Sequence, residues 1–162
     1  MQSFAVRLGA LYCIALMSFG CAAAQPARRI EGCSSSVSDK AAETALAMVG
    51  RPYKYKGDSP AGFDCSGLVR YSYLVAGMDV PHGTNALRQH TQPVSDRDMR
   101  KGDLLFFNES GKKYSHVGIY EGDGRFVHAP SAGKHVCVDG LQDPYWKKHF
   151  LGARRFPPGA EE

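Results

Sequence analysis

The chain has 162 residues, 43% hydrophobic and 22% charged, proportions that suit one globular domain and exclude a largely disordered chain. Its formal charge of +4 comes from Lys and Arg scattered among acids, with only short pairs such as Arg28-Arg29, Lys112-Lys113 and Arg154-Arg155. A nucleic-acid partner would require a concentrated basic stripe with interleaved aromatics, so that partner is excluded, while weak attraction to an anionic polymer is retained.

In chain order, Arg7 is followed by an uncharged run from Leu8 to Phe19. That run is too short to span a bilayer as a helix and suits a signal-peptide core, which implies export to the periplasm or cell envelope. Two cleavage patterns are present: before Cys21 in "SFGC", where a lipid on Cys21 would attach the protein to a membrane, and after Ala24 in Ala22-Ala23-Ala24. Ser18 stands where a lipoprotein signal usually has Leu. The reading is therefore a leader over 1–24, a flexible connector over 25–40, one folded domain over 41–156 and a tail over 157–162. Once Cys13 and Cys21 are set aside with the leader, Cys33, Cys65 and Cys137 are left. An odd number of thiols in an oxidising compartment implies one free thiol or an intermolecular bond, and leaves a Cys33–Cys137 pair open.

The segment Ser38 to Val49 puts Ala42, Ala45, Leu46 and Val49 on one helical face, closed by Gly50 and Pro52. The stretch from Arg51 to Cys65 carries Gly, Pro, Asp and Ser at turn density and is expected to be a loop. Leu68, Val69, Ser72, Tyr73 and Ala76 then predict a helix from about Ser66 to Ala76, with Gly77 as its stop. Residues 78 to 100 read as irregular with a short helix around Asn85 to His90. The pattern then changes to short apolar runs, "DLLFF" at 103–107, "HVGIY" at 116–120, "RFVHA" at 125–129 and "KHVCV" at 134–138, with "EGDG" as a hairpin turn and "HFLGARRF" as a closing strand. Helices first and an antiparallel sheet afterwards make an α+β domain.

Cys65 stands where the second helix begins. A helix N-terminus offers unpaired N–H groups and partial positive charge, so a thiolate there is expected to be stabilised and its pKa lowered, and the same N–H groups suit an oxyanion. A nucleophile needs a base and a group to orient the base. His116 and His128, on strands joined by the hairpin, are placed to be neighbours as base and orienting partner, whereas His82, His90, His135 and His149 show no such pairing. Against this stand blander readings, of Cys65 as a small buried hydrophobe and of strand histidines as structural. Cys65, His116 and His128 show no close ligand spacing, so no metal is assigned.

Three blocks in order, "FDCSGLV" at 63–69, "GDLLFF" at 102–107 with "SHVGIY" at 115–120, and "GRFVHA" at 124–129, resemble the NlpC/P60 family of cell-wall cysteine peptidases, the likeness running from about Ala41 to Phe156. The resemblance implies a papain-like fold and hydrolysis of amide bonds in peptidoglycan stem peptides or cross-links, without a cofactor. It also implies roles: Cys65 as nucleophile, His116 as base, His128 in the third polar position, Tyr53 at the oxyanion site, and Asp64 and Ser66 against the substrate peptide. Two positions depart from the family, Tyr55-Lys56 where a Trp-Gly pair is common and His82 where an Arg is common, and both bear on the substrate pocket. Two alternatives stay open. One is a related amidase or acyltransferase, including an antibacterial wall-degrading toxin with a dedicated inhibitor protein as its partner. The other is a non-catalytic wall-binding module, against which the intact Cys65, His116 and His128 argue.

Overall fold

The computed structural model describes residues 36–157 apart from 110, 112, 132 and 133. The leader, its two cleavage patterns, Cys21 and Cys33 lie outside the described residues. Helix α1, Val37–Ala47, begins with a capping box in which the Ser36 hydroxyl accepts from the Asp39 N–H and the Asp39 carboxylate accepts from the Ser36 N–H. Its buried stripe is Ala41, Ala42 and Ala45, while Leu46 and Val49, expected on that face, are 47% and 45% exposed. The helix ends before Val49 can join the stripe, and three small side chains let it lie close against α2, Cys65–Ala76.

Between these helices the expected loop contains a small ladder, β1 (Asp58–Ser59) against β2 (Gly62–Phe63). This hairpin is pressed onto the first turn of α2, since a Cβ on Gly67 would lie 1.9 Å from the Gly57 carbonyl oxygen. Helix α2 ends at Gly77 in the left-handed region, φ 105°, as the sequence predicts. The short helix α3 covers Thr84–Gln89.

The strands β3 (Gln92–Val94), β4 (Leu104–Phe107), β5 (His116–Gly122), β6 (Arg125–His128), β7 (Cys137–Gly140) and β8 (Phe150–Arg155) form one antiparallel sheet in the order β3-β8-β4-β5-β6-β7. The strand expected at 134–138 is displaced to 137–140 because residues 134–136 pair with the chain around Pro52 instead. The Lys134 carbonyl accepts from the Tyr53 N–H, and the Val136 N–H donates to the Arg51 carbonyl. Helix α4, Pro144–His149, is an element the sequence reading did not identify.

Alternation along the strands divides the core. Leu104, Phe106, Val117, Ile119 and Val127 pack with α1 and α2, whereas Leu105, Phe107, Tyr120 and Phe126 pack with Leu141 and Trp146. The ends of β4 and β8 are tied by a buried carboxylate: Asp103 receives Arg155 Nε at 2.6 Å and Nη2 at 2.7 Å, together with the Arg100 N–H. This α+β arrangement brings the N-terminus of α2 against the start of β5.

Candidate active site

Asp64 is the N-cap of α2. Its Oδ1 accepts from the Gly67 N–H at 2.7 Å and from the Ser66 hydroxyl at 2.9 Å, which fixes the turn that presents Cys65. The Cys65 sulfur meets Thr84 Oγ1 at 3.9 Å and lies against the Val117 N–H, one residue from His116 along β5. The expected lowering of the thiol pKa is not what the site produces. The Ser66 and Val117 N–H groups and Thr84 all favour the thiolate, but burial of the sulfur is the larger influence, the neighbouring Asp64 charge adds to it, and together they push the Cys65 thiol up. The resting group is therefore a thiol that needs a base.

His116 and His128 converge as expected. His116 Nε2 and His128 Nδ1 are 2.8 Å apart, with both rings fully buried. The two residues are diagonal rather than opposite, because the ladder aligns Ile119 with Val127 and Tyr120 with Phe126 before a bulge in β5. The chain of contacts continues: His128 Nε2 is 2.9 Å from Asp139 Oδ2, and the Trp146 indole N–H donates to the same oxygen at 2.8 Å. A carboxylate only accepts, so His128 donates from Nε2 and leaves Nδ1 to accept from His116 Nε2–H. His116 Nδ1 is then the unprotonated nitrogen of the ring, the atom that can take a proton from a thiol, and Glu109 Oε2 stands 3.2 Å from it. Burial, assisted by the adjacent His128, pushes His116 down to about 3, and burial lowers His128 as well, so both imidazoles are neutral at neutral pH.

Four further residues shape the site. Trp146 stacks on His116, with centroids 5.6 Å apart and planes at 25°, and stands edge-on to His128 at 4.8 Å. Its helix is announced by Asp143-Pro144, a capping residue before a proline at the first helical position, which was the available signal for α4. Asp139 has no local signal, since only β6–β7 pairing brings it to His128. Glu109 Oε2 lies 3.2 Å from His116 Nδ1, its other oxygen accepts from the Tyr145 hydroxyl, and burial raises its pKa. His82, left without a partner by the sequence, sets Nε2 at 3.0 and 3.1 Å from the two Asp64 oxygens. That is the position where the family commonly carries Arg, and the departure was the signal.

Tyr53 packs near both Cys65 and Asp64, and burial followed by those two neighbours raises its hydroxyl pKa, so the group is a neutral donor at neutral pH. Asp64, Ser66 and His82 line a cavity of about 460 Å³ with Tyr55, Lys56 and Gly83. Asp64, Cys65 and Ser66 thus stand at the start of α2 with Tyr53 packed nearby, while His116 and His128 meet each other on β5 and β6. Among the described residues, Cys65 and His116 share no hydrogen bond in this state.

The model of the NlpC/P60 family matches residues 50–155. Among curated proteins, the chain is 36% identical over 115 residues to the murein DD-endopeptidase MepH of Escherichia coli K12, covering 68% of this chain and 42% of that protein. It is 37% identical to the bifunctional muramidase/DL-endopeptidase CwlT of Bacillus subtilis, covering 68% of this chain and 34% of that one. The chain thus spans less than half the length of these relatives. Among solved structures, the NlpC/p60 domain of the peptidoglycan hydrolase SagA superposes with a TM-score of 0.61 at 35% identity, covering 72% of this chain and 96% of that domain. The fold is accordingly the papain-like α+β class that the sequence blocks implied.

Proposed function

The chain belongs to the NlpC/P60 family, and from that premise we propose that it is a cysteine endopeptidase hydrolysing amide bonds in the stem peptides or cross-links of peptidoglycan. The observation that carries this is the buried His116–His128–Asp139 chain, which leaves His116 Nδ1 unprotonated on the strand whose next residue, Val117, offers its N–H to Cys65 at the capped start of α2. Relatives named as a murein DD-endopeptidase and a muramidase/DL-endopeptidase support the substrate class.

In this reading His116 Nδ1 takes the Cys65 proton as sulfur attacks the substrate carbonyl. The oxyanion is met by N–H groups at the start of α2 and by the Tyr53 hydroxyl. His116 returns the proton to the leaving amine, and water then attacks the thioester with His116 again as base. His128 and Asp139 keep the His116 proton on Nε2 through both steps. Asp64, Ser66 and His82 form the wall that meets the substrate peptide, with the His82–Asp64 contact standing where the family commonly carries an arginine. Export by the leader at Leu8 to Phe19 and action in the cell envelope complete the reading, with 41–156 as the catalytic domain.

The test is mass spectrometry of fragments released from purified peptidoglycan by the protein beside Cys65→Ala and His116→Ala. Fragments from the wild type alone are expected, and their masses assign the bond, which the relatives name differently as DD and DL. No release by the wild type, with all three proteins still binding the polymer, would overturn the proposal in favour of a binding module. The N-terminal mass of the envelope-purified protein decides cleavage before Cys21 or after Ala24.

A further inference from the structure

On the far side of His128 from His116, three different metal-ligating atoms converge. Cys137 Sγ is 3.5 Å and Asp139 Oδ2 2.9 Å from His128 Nε2, and all three lie within 4.8 Å of one another. Among the described residues Cys137 has no disulfide partner; its thiol is half-buried, and the Asp139 side chain is 39% exposed. Both face a cavity of about 320 Å³ bounded also by Glu109, Ser131, Lys134 and Tyr145, which gives solvent access. The catalytic reading uses Asp139 and His128 but has no role for Cys137.

We propose that His128, Cys137 and Asp139 form an inhibitory site for a borderline-soft divalent cation such as Zn²⁺. With Zn–N, Zn–O and Zn–S bonds of about 2.0–2.3 Å, tetrahedral ligand atoms stand roughly 3.3–3.6 Å apart. The sulfur–nitrogen separation already fits, and the nitrogen–oxygen contact has to lengthen by a few tenths of an ångström. An imidazole, a thiolate and a carboxylate are the ligand types that zinc takes, with water from the cavity as the fourth ligand. Thiolate and carboxylate together neutralise the divalent charge. Lys134 at the mouth opposes a cation, and burial with the neighbouring Asp139 charge pushes the Cys137 thiol up, which Lys134 offsets only in part.

The consequence reaches Cys65 through the two rings. A metal on His128 Nε2 displaces the proton held there, so the neutral ring must carry its proton on Nδ1 and donate to His116 Nε2. His116 then holds its own proton on Nδ1, where Glu109 Oε2 at 3.2 Å is placed to accept it. Protons balance: the Cys137 proton leaves to solvent, the His116 Nε2 proton crosses the 2.8 Å contact to His128 Nδ1, and the proton displaced from His128 reappears on His116 Nδ1. The atom required as base is thereby occupied. The cation site stands without the catalytic reading; its effect on hydrolysis rests on that reading.

The experiment titrates Co²⁺ into the reduced protein, into Cys65→Ala and into Cys137→Ala, following the near-ultraviolet thiolate-to-cobalt charge-transfer band and proton release. One equivalent of Co²⁺ and one released proton are expected for the wild type and for Cys65→Ala, with the band absent from Cys137→Ala of unchanged unfolding midpoint. Absence of the band from Cys65→Ala, or its persistence in Cys137→Ala, overturns the site whether or not peptidoglycan is cleaved. A second arm follows peptidoglycan cleavage with added Zn²⁺. Inhibition reversed by chelator is expected in the wild type and is expected to need at least tenfold more Zn²⁺ in Cys137→Ala, whose basal rate is unchanged. Equal inhibition of both proteins places the cation on Cys65 and overturns the coupling through the histidines. Swapping of the protonated nitrogen on both rings, read from imidazole ¹⁵N shifts in Cys65→Ala with Zn²⁺, separates the tautomer change from simple blockage.

Discussion

Cys65 sits between opposing effects, and the balance sets its chemistry. Helix N–H groups favour the thiolate, whereas burial and Asp64 disfavour it more. Iodoacetamide alkylation of Cys65 should therefore follow an apparent pKa above the ordinary thiol value of about 8.5. A midpoint below that value would instead show a standing thiolate–imidazolium pair. If His116 acts as base only in the tautomer fixed by its neighbours, His128→Ala should lower kcat by about 10²-fold or more with KM little changed. Asp139→Asn keeps an acceptor oxygen and should retain more activity than Asp139→Leu. Since a purely structural role would not move the ring protons, the His128 imidazole ¹⁵N shifts in Asp139→Leu are the discriminating measurement.

At the scale of elements, glycines and one ion pair set the geometry. Gly67, in the motif that carries Cys65, is required because any Cβ would lie 1.9 Å from the Gly57 carbonyl oxygen, which cannot move without the β1–β2 hairpin. Gly67→Ala is expected to cost about 3 kcal/mol or more and to displace the first turn of α2. Gly77→Ala, in the left-handed cap with open space around it, should cost only about 1 kcal/mol, a strain effect alone. Urea unfolding of the two variants separates a packing clash from a backbone preference. The conspicuous aspartate of "GDLLFF" is structural: it is 1% exposed and held by the Arg155 fork. Asp103→Asn should destabilise by about 3–5 kcal/mol by leaving a partly buried guanidinium unmatched, and the same unfolding measurement reads it.

For the whole molecule, buried titratable groups set the response to acid. His116 is neutral in the folded chain down to about 3 but takes its proton near 6.5 when unfolded, so the unfolded state binds more protons between those values and stability falls as pH falls. His128 acts in the same direction. Glu121, raised from 4.5 to about 7 by burial, binds its proton first in the folded chain and offsets part of that loss above 4.5; Glu109 contributes in the same sense. The steepest loss of stability is therefore expected below about 4.5, and Glu121→Gln should move its onset toward 6.5. Unfolding midpoints across this range test the prediction, and an onset unchanged in Glu121→Gln would refute it. Among the described residues no helix is long and apolar enough to cross a membrane.

The sequence by itself determined the α+β class, the helix beginning at Cys65 and the strands carrying His116 and His128. Those depend on local periodicity, capping residues and turns, and the helix's stop at Gly77 and the "EGDG" hairpin are visible in a few neighbouring positions. Its reach ended where contacts are distant in the chain. The strand near 137–140 was misplaced because residues 134–136 bond to the chain around Pro52, more than eighty positions earlier. Only the tertiary structure placed Asp139, Trp146 and Glu109 around the histidines and His82 on Asp64, since each contact joins separate elements. It alone also decided the direction of the Cys65 pKa shift. A helix start is a local feature, but the desolvation that outweighs it is produced by everything packed around the sulfur.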